Sequence, residues 1–265
     1  MNLPFWYCGK LLPPETCVIP VNDPGLLYGA TVFTTLRVYE QSLEHPLTHW
    51  QAHCDRLKYS LITLGWSLPD WDNLTQGGMI LAKDYPVLRI TIFPDGRELI
   101  IPRYLPENLA QNQQQGIQGK VVQGDIYTRY LPEHKTGNYL GPWLAKKQAA
   151  EAILTDAQGN WLETSTGNLW GYQQGCWYIP TLAGNLSGII QKQLIHWLGE
   201  QSLPIVSREW SSSWVTTLEA IAITNSVVEI IPFHSIETPT TTISLNPNFK
   251  ALTQLKSYFS YHHNI

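Results

Sequence analysis

The stretch Pro106-Glu107-Asn108-Leu109-Ala110-Gln111-Asn112-Gln113-Gln114-Gln115-Gly116-Ile117-Gln118-Gly119 is the sharpest composition shift in the chain. So little of it rewards burial that it reads as a division between two folding units. The expected organisation is a smaller N-terminal α/β domain over 1–113, a linker at 114–119 and a larger C-terminal domain over 120–265. Neither part reads as disordered. The 265 residues include 11 Trp and 13 Tyr with only 14% charged residues, whereas disorder needs few aromatics and high charge. A formal charge of −4 leaves no basic footprint for nucleic acid. No run approaches ~18 consecutive apolar residues, so no membrane-spanning helix is expected. The segment Met1 to Cys8 has neither the basic region nor the apolar core of a signal peptide. Cys8, Cys17, Cys54 and Cys176 are scattered without a C-x-x-C pair. That pattern predicts reduced thiols in the cytoplasm and no zinc framework.

Local patterns predict a mixture of helices and strands without regular βα alternation. Thr31 to Tyr39 and Val87 to Phe93 are β-branched and aromatic, and read as strands. Trp50, Leu57, Leu61 and Leu64 fall on one helix face between His49 and Gly65. Asn22-Asp23-Pro24-Gly25 is a turn signal. Tyr139 to Ala152 reads as a helix. Two hairpins follow, one around Asp156-Ala157-Gln158-Gly159-Asn160 and one around Gln173-Gln174-Gly175. A helix should start near Ser187-Gly188, and Glu219 to Thr224 has the pattern of a buried strand. No G-x-G-x-x-G and no P-loop is present.

Several residues carry chemical potential, and each alone has an ordinary reading. His45, His49 and His53 stand four apart, but Pro46 separates the first pair, and surface or capping roles fit them best. Asp156 falls in a hairpin turn and reads as solvated. Glu163 instead ends an apolar strand and precedes a polar loop, a common place for a functional group. Lys135 lies between a loop and an element end, where a buried lysine becomes a nucleophile or Schiff-base former. Arg56 is one of only seven arginines and suits a phosphate. Leu186-Ser187-Gly188-Ile189-Ile190 opens a helix, whose first N–H groups suit an anion. Asn225-Ser226, at a strand end, adds another donor. A lysine, an acid and dispersed phosphate donors are the parts a pyridoxal phosphate (PLP) site requires.

The same residues, in order, resemble the fold-type IV, or class IV, PLP-dependent aminotransferases, and the resemblance spans nearly the whole chain. The opening D-x-G-x-x-Y-G-x-x-V-F-x-x-x-R matches Asp23 to Arg37, and H-x-x-R-L matches His53 to Leu57. The lysine segment matches Lys135-Thr136-Gly137-Asn138-Tyr139-Leu140. Glu163 to Trp170 and Leu186 to Ile189 complete five ordered motifs. The resemblance implies a two-domain α/β (α+β) fold like that of D-amino-acid aminotransferases, a homodimer, and PLP as cofactor.

By the same resemblance Lys135 is the catalytic residue and holds PLP covalently, and Glu163 holds the pyridine nitrogen. Arg56, the N–H groups of Ile189 and Ile190, and Ser226 take the phosphate. Leu186 packs on the ring, with Tyr139 nearby. Tyr28, Phe33 and Arg37 reach toward a small-molecule substrate, and Arg37, Arg89 and Arg97 are candidate carboxylate partners. Two departures matter. Ile190 stands where family members usually have Thr, and Thr34 follows Phe33 where many aminotransferases carry Glu. Phe33-Thr34-Thr35-Leu36-Arg37-Val38 resembles the aminodeoxychorismate lyase branch, which makes 4-aminobenzoate and pyruvate for folate synthesis. Gly137-Asn138-Tyr139 resembles branched-chain enzymes, so an aminotransferase for branched-chain or D-amino acids is the alternative. A degenerate, non-catalytic member of the fold is a third reading, opposed by the intact Lys135 and Glu163.

Overall fold

A computed structural model describes residues 3–14, 16–181 and 184–263. The chain divides into two compact units. The first takes 1–105 together with 134–138, and the second takes 106–133 and 139–265.

The first unit contains β1 (Phe5–Tyr7), β2 (Lys10–Leu12), α1 (Pro24–Tyr28), β3 (Val32–Arg37), α2 (Trp50–Thr63), α3 (Trp71–Ala82), β4 (Val87–Ile92) and β5 (Glu98–Arg103). The five strands form an antiparallel sheet in the order β2-β1-β5-β4-β3. Alternation along β4 buries Leu88, Ile90 and Ile92 on one side. Leu57 and Leu61 of α2 meet that face together with Leu36 and Leu74, each such side chain contributing about 1.5–3 kcal/mol by burial. The expected Asn22–Gly25 turn is the start of α1. Asp23 caps it by accepting the Gly25 N–H at 2.7 Å, and Pro24 sits at the first helical position, where its missing N–H costs nothing.

The second unit contains α4 (Leu109–Gln115), β6 (Ile117–Val122), α5 (Leu140–Lys146), β7 (Glu151–Thr155), β8 (Trp161–Thr164), β9 (Asn168–Gln173), β10 (Cys176–Pro180), α6 (Ile189–Glu200), β11 (Ile205–Arg208), β12 (Ala220–Asn225), β13 (Glu229–Glu237), β14 (Thr242–Ser244) and α7 (Leu252–His262). Its mixed sheet runs β11-β10-β9-β12-β13-β6-β7-β8, with β14 on β13. Both expected hairpins are present, as β7–β8 and β9–β10. The central strand β12 is buried from Ala220 to Thr224, as its continuous apolar run requires.

Three expectations change. The linker at 114–119 is instead the end of a helix and the start of an interior strand. Gln is a good helix former, and Gln113 uses its amide to donate to Val228 O at 2.9 Å. Strand β6 then pairs in parallel with both β13 and β7. The boundary between the units accordingly lies at Leu105/Pro106. The helix expected over 139–152 stops at Lys146, because Glu151 and Ala152 are drawn into the pairing of β7 with β6. Among the described residues no helix is long and apolar enough to cross a membrane.

Candidate active site

In the first unit, the lysine segment 134–138 lies along the outer edge of β3. Phe33 N–H donates to Lys135 O at 2.8 Å, Gly137 N–H donates to Thr31 O at 2.6 Å, and Val32 bridges Thr136. Gly137 permits this approach, since a Cβ there would lie 2.1 Å from Thr31 Oγ1. His134 fastens the other side. Its Nδ1 lies 3.0 Å from Ser60 Oγ, and its ring stacks on Tyr59. The Lys135 amine stands 4.8 Å from the centroid of the Phe33 ring, and the Arg89 guanidinium 3.7 Å from the same centroid. Phe33 thus gathers two cations, a setting that attracts an anion.

Thr34, next along β3 and fully buried, is bonded to two residues of α2. Arg56 Nη2 donates to its Oγ1, and His53 Nδ1 lies 2.5 Å away. Burial pushes the His53 imidazole well below the usual histidine range, helped by the charges of Arg56, His49 and Lys135. His45 accepts from Leu47 N–H and stacks on Tyr39. The remaining substrate candidates part ways. Arg37 lies over Tyr39, 4.6 Å from the ring centroid. Tyr28 is 75% exposed at the end of α1. All three nitrogens of Arg97 have partners within the unit. It binds Asp95, Tyr7 and Asp23, and that bond to Arg97 holds the Asp23 carboxyl below its ordinary value. Arg97 thereby locks the cap of α1.

In the second unit, Glu163 is the centre of a buried group. Its Oε1 accepts from Arg129 Nη1 at 2.6 Å and its Oε2 from Leu186 N–H at 3.1 Å. The side chains of Arg129 and Glu163 are 5% and 6% exposed. Arg129 also lies over the Tyr139 ring, and Tyr139 O–H donates to Ser165 O at 3.2 Å. Asn168 Nδ2 donates to Leu186 O at 2.6 Å. Helix α6 starts directly after, with Gly188 as its cap and no side chain closing it. Its bonding begins with Lys192 N–H donating to Gly188 O, so the N–H groups of Ile189, Ile190 and Gln191 precede the first closed turn. Ser226 lies in the β12–β13 turn, which Asn225 organises by accepting from Val227 and Val228 N–H.

These groups fit PLP. A carboxylate has about four lone-pair sites, so Glu163 keeps capacity for a pyridinium N–H beyond its two present bonds. The uncapped start of α6 suits a phosphate, and within the first unit Lys135 and Arg89 both lie near the Phe33 ring. Ile190 brings no hydroxyl to that helix start, so only its N–H can serve there. The sequence reading missed Arg129. Its only signal was scarcity, one arginine of seven, because its partner lies 34 residues away.

The sequence pattern of the amino-transferase class IV family matches residues 31–236. The chain is 24% identical over 257 residues to an aminodeoxychorismate lyase of Vibrio harveyi, covering 89% of this chain and 92% of that one. It is 22% identical over 264 residues to a branched-chain-amino-acid aminotransferase of Pseudomonas aeruginosa, covering 88% and 84%. Among solved structures, the branched-chain aminotransferase of Thermoproteus uzoniensis with norvaline superposes with a TM-score of 0.81 at 19% identity, over 98% of this chain and 94% of that one. The PLP-bound form of a hypothetical aminotransferase from Mycobacterium tuberculosis superposes at 0.80 and 15% identity, over 97% and 98%. At these identities the structural likeness shows a shared fold. The match over most of the chain, with the five motifs in order, makes this protein a member of the class IV aminotransferase family.

Proposed function

We propose that this protein is a PLP-dependent lyase that releases pyruvate from 4-amino-4-deoxychorismate and leaves 4-aminobenzoate, a step toward folate. The observation that carries the lyase reading is Thr34. It is buried and hydrogen-bonded where many aminotransferases of the family have Glu. The similarity to a lyase of Vibrio harveyi supports the same reading.

PLP, when bound, supplies an electron sink for the carbon bearing the substrate amine. Lys135 is the group that holds the cofactor and moves protons. It removes the proton from the amine-bearing carbon and delivers a proton to the enolpyruvyl methylene, after which pyruvate leaves and the substrate ring becomes aromatic. Glu163 holds the proton of the pyridine nitrogen, and Arg129 and the Leu186 N–H hold Glu163. Arg56, the N–H groups of Ile189 and Ile190, and Ser226 bind the phosphate, with Leu186 against the ring and Tyr139 beside it. Arg89, sharing the Phe33 ring with Lys135, is the favoured partner for a substrate carboxylate. Arg37, Tyr28 and Phe33 complete the substrate side.

The working form is a homodimer. Val18, Val21, Leu26, Leu27 and Tyr28 are all more than half exposed in the single chain, an apolar surface that association would cover. The four free cysteines suit the reducing cytoplasm.

An aminotransferase for branched-chain or D-amino acids is the second reading, favoured by Gly137-Asn138-Tyr139 and by the Pseudomonas aeruginosa relative. Pyruvate release from aminodeoxychorismate without an amino acceptor decides for the lyase. A requirement for 2-oxoglutarate with an amino acid decides against it. Absorbance near ~410–430 nm that is lost in Lys135→Ala tests the covalent cofactor, and a colourless protein that cannot be reconstituted refutes it.

A further inference from the structure

We propose that Thr34 and His53 are positioning residues, a buried hydrogen-bond relay that fixes the Arg56 guanidinium for the cofactor phosphate. The proposal rests on the reading that Arg56 takes the phosphate of PLP. It assigns a task to two polar side chains that do not themselves touch the cofactor.

The direction of the relay follows from hydrogen-bond inventory. Arginine only donates, so Thr34 Oγ1 must be the acceptor in its bond with Arg56. The hydroxyl proton of Thr34 then needs an acceptor, and His53 Nδ1 lies 2.5 Å away. A proton on Nδ1 would deprive the Thr34 hydroxyl of that acceptor. The relay therefore runs from Arg56 to Thr34 to His53, with the imidazole neutral and its proton on Nε2. A second proton on His53 would place a cation against Arg56 on its own helix, His49 just before that helix and Lys135 on the neighbouring segment.

The geometry also explains why polar groups are spent here. Thr34 is 0% exposed in the middle of β3, where Val would serve packing equally well. His53 is likewise 0% exposed, and its Nε2 has no hydrogen-bond partner among the described residues. Thr34 is thus the polar tether of the His53 ring there. His53 and Arg56 stand three apart on α2, so one helix face presents both to the same hydroxyl. Arg56 is only half-buried, and its long side chain needs an anchor to keep one orientation.

The test uses the full-length apoprotein, titrated in parallel with PLP and with pyridoxal, which lacks the phosphate. Binding is read from the ~410–430 nm absorbance. Thr34→Val keeps shape and β-propensity and is expected to weaken PLP about two- to tenfold, the cost of immobilising an untethered Arg56 side chain on binding. Pyridoxal affinity should not move. Thr34→Ser should restore PLP binding. His53→Leu should behave as Thr34→Val, while His53→Asn, whose Oδ1 takes over the acceptor, should stay near wild type. In an Arg56→Lys background, Thr34→Val should have little further effect. Wild-type PLP affinity in Thr34→Val, or equal weakening of PLP and pyridoxal, overturns the relay and leaves the cofactor reading standing. A wild-type protein that binds neither compound overturns both.

Discussion

Replacing Arg129 by Met should destabilise the second unit far more than any surface substitution. The guanidinium contacts Glu163 at 2.6 Å, and both side chains are about 95% enclosed. In Arg129→Met the carboxylate stays buried with one remaining donor among the described residues, the Leu186 N–H. Breaking a buried pair from one side costs about 3–5 kcal/mol, because the survivor keeps its desolvation penalty without its partner. For a unit of this size, about 2–4 °C per kcal/mol converts that cost to a fall in Tm of roughly 6–20 °C. The assay is urea unfolding followed by tryptophan fluorescence, for which the fully buried Trp161, Trp170, Trp177 and Trp210 all report on the second unit. The decisive comparison is Arg129→Met with Glu163→Gln. That double variant removes both charges and keeps an acceptor for the Leu186 N–H, so it should recover at least ~2 kcal/mol of the single loss. A single variant within ~1 kcal/mol of wild type, or a double variant as unstable as the single, refutes the reasoning.

Other perturbations have defined signs. Gly137→Ala places a Cβ 2.1 Å from Thr31 Oγ1 and should cost about 1–3 kcal/mol. It should also loosen the lysine segment, seen as faster hydrogen exchange of the Phe33 and Gly137 amides, and unchanged exchange would contradict this. Burial pushes the Glu151 carboxyl up despite bonds from Ser165 and Thr166. Its native state therefore holds the proton more tightly than the unfolded chain. The resulting stability is present below the unfolded value of about 4.3 and is lost as pH rises through the native value. Wild type should lose stability relative to Glu151→Gln across that interval, and a pH-independent difference in urea midpoint would defeat the assignment. Burial also pushes the Cys54 thiol up to about 12. Native protein treated with iodoacetamide near pH 8 should be labelled at exposed Cys8 well before Cys54, and peptide mass spectrometry gives the order.

The parts legible from sequence are those with local causes. The β7–β8 turn is closed by Asp156 and Asn160 within five residues, and α2 buries Leu57 and Leu61 on the face their spacing marks. The five motifs lie on contiguous residues, so the sequence alone singles out Lys135, Glu163, Arg56 and the start of α6 as candidates. Helix α3 was not among the elements expected from the sequence, and Gly77 sits inside it. The missing side chain of Gly77 admits the Trp6 indole, to which a Cβ would come within 2.4 Å. The Gln-rich stretch misled for a simple reason. Composition measures how much a segment can bury, while α4 and β6 are held by an amide bonded to a distant carbonyl and by backbone pairing on both sides.

From its sequence alone this protein was determined to be a two-part α+β chain with a lysine, an acid and candidate phosphate donors in a recognisable order. Those properties reside in side-chain identity and short-range spacing. Only the tertiary structure decided that residues 134–138 leave their sequence neighbours to pair with β3. It alone committed Arg97 to Asp23, and set Arg129 on Glu163 and Thr34 between Arg56 and His53. Each of these contacts joins residues 19 to 104 positions apart. A buried donor or charge must find its partner in space, and no local pattern records which distant group will be there.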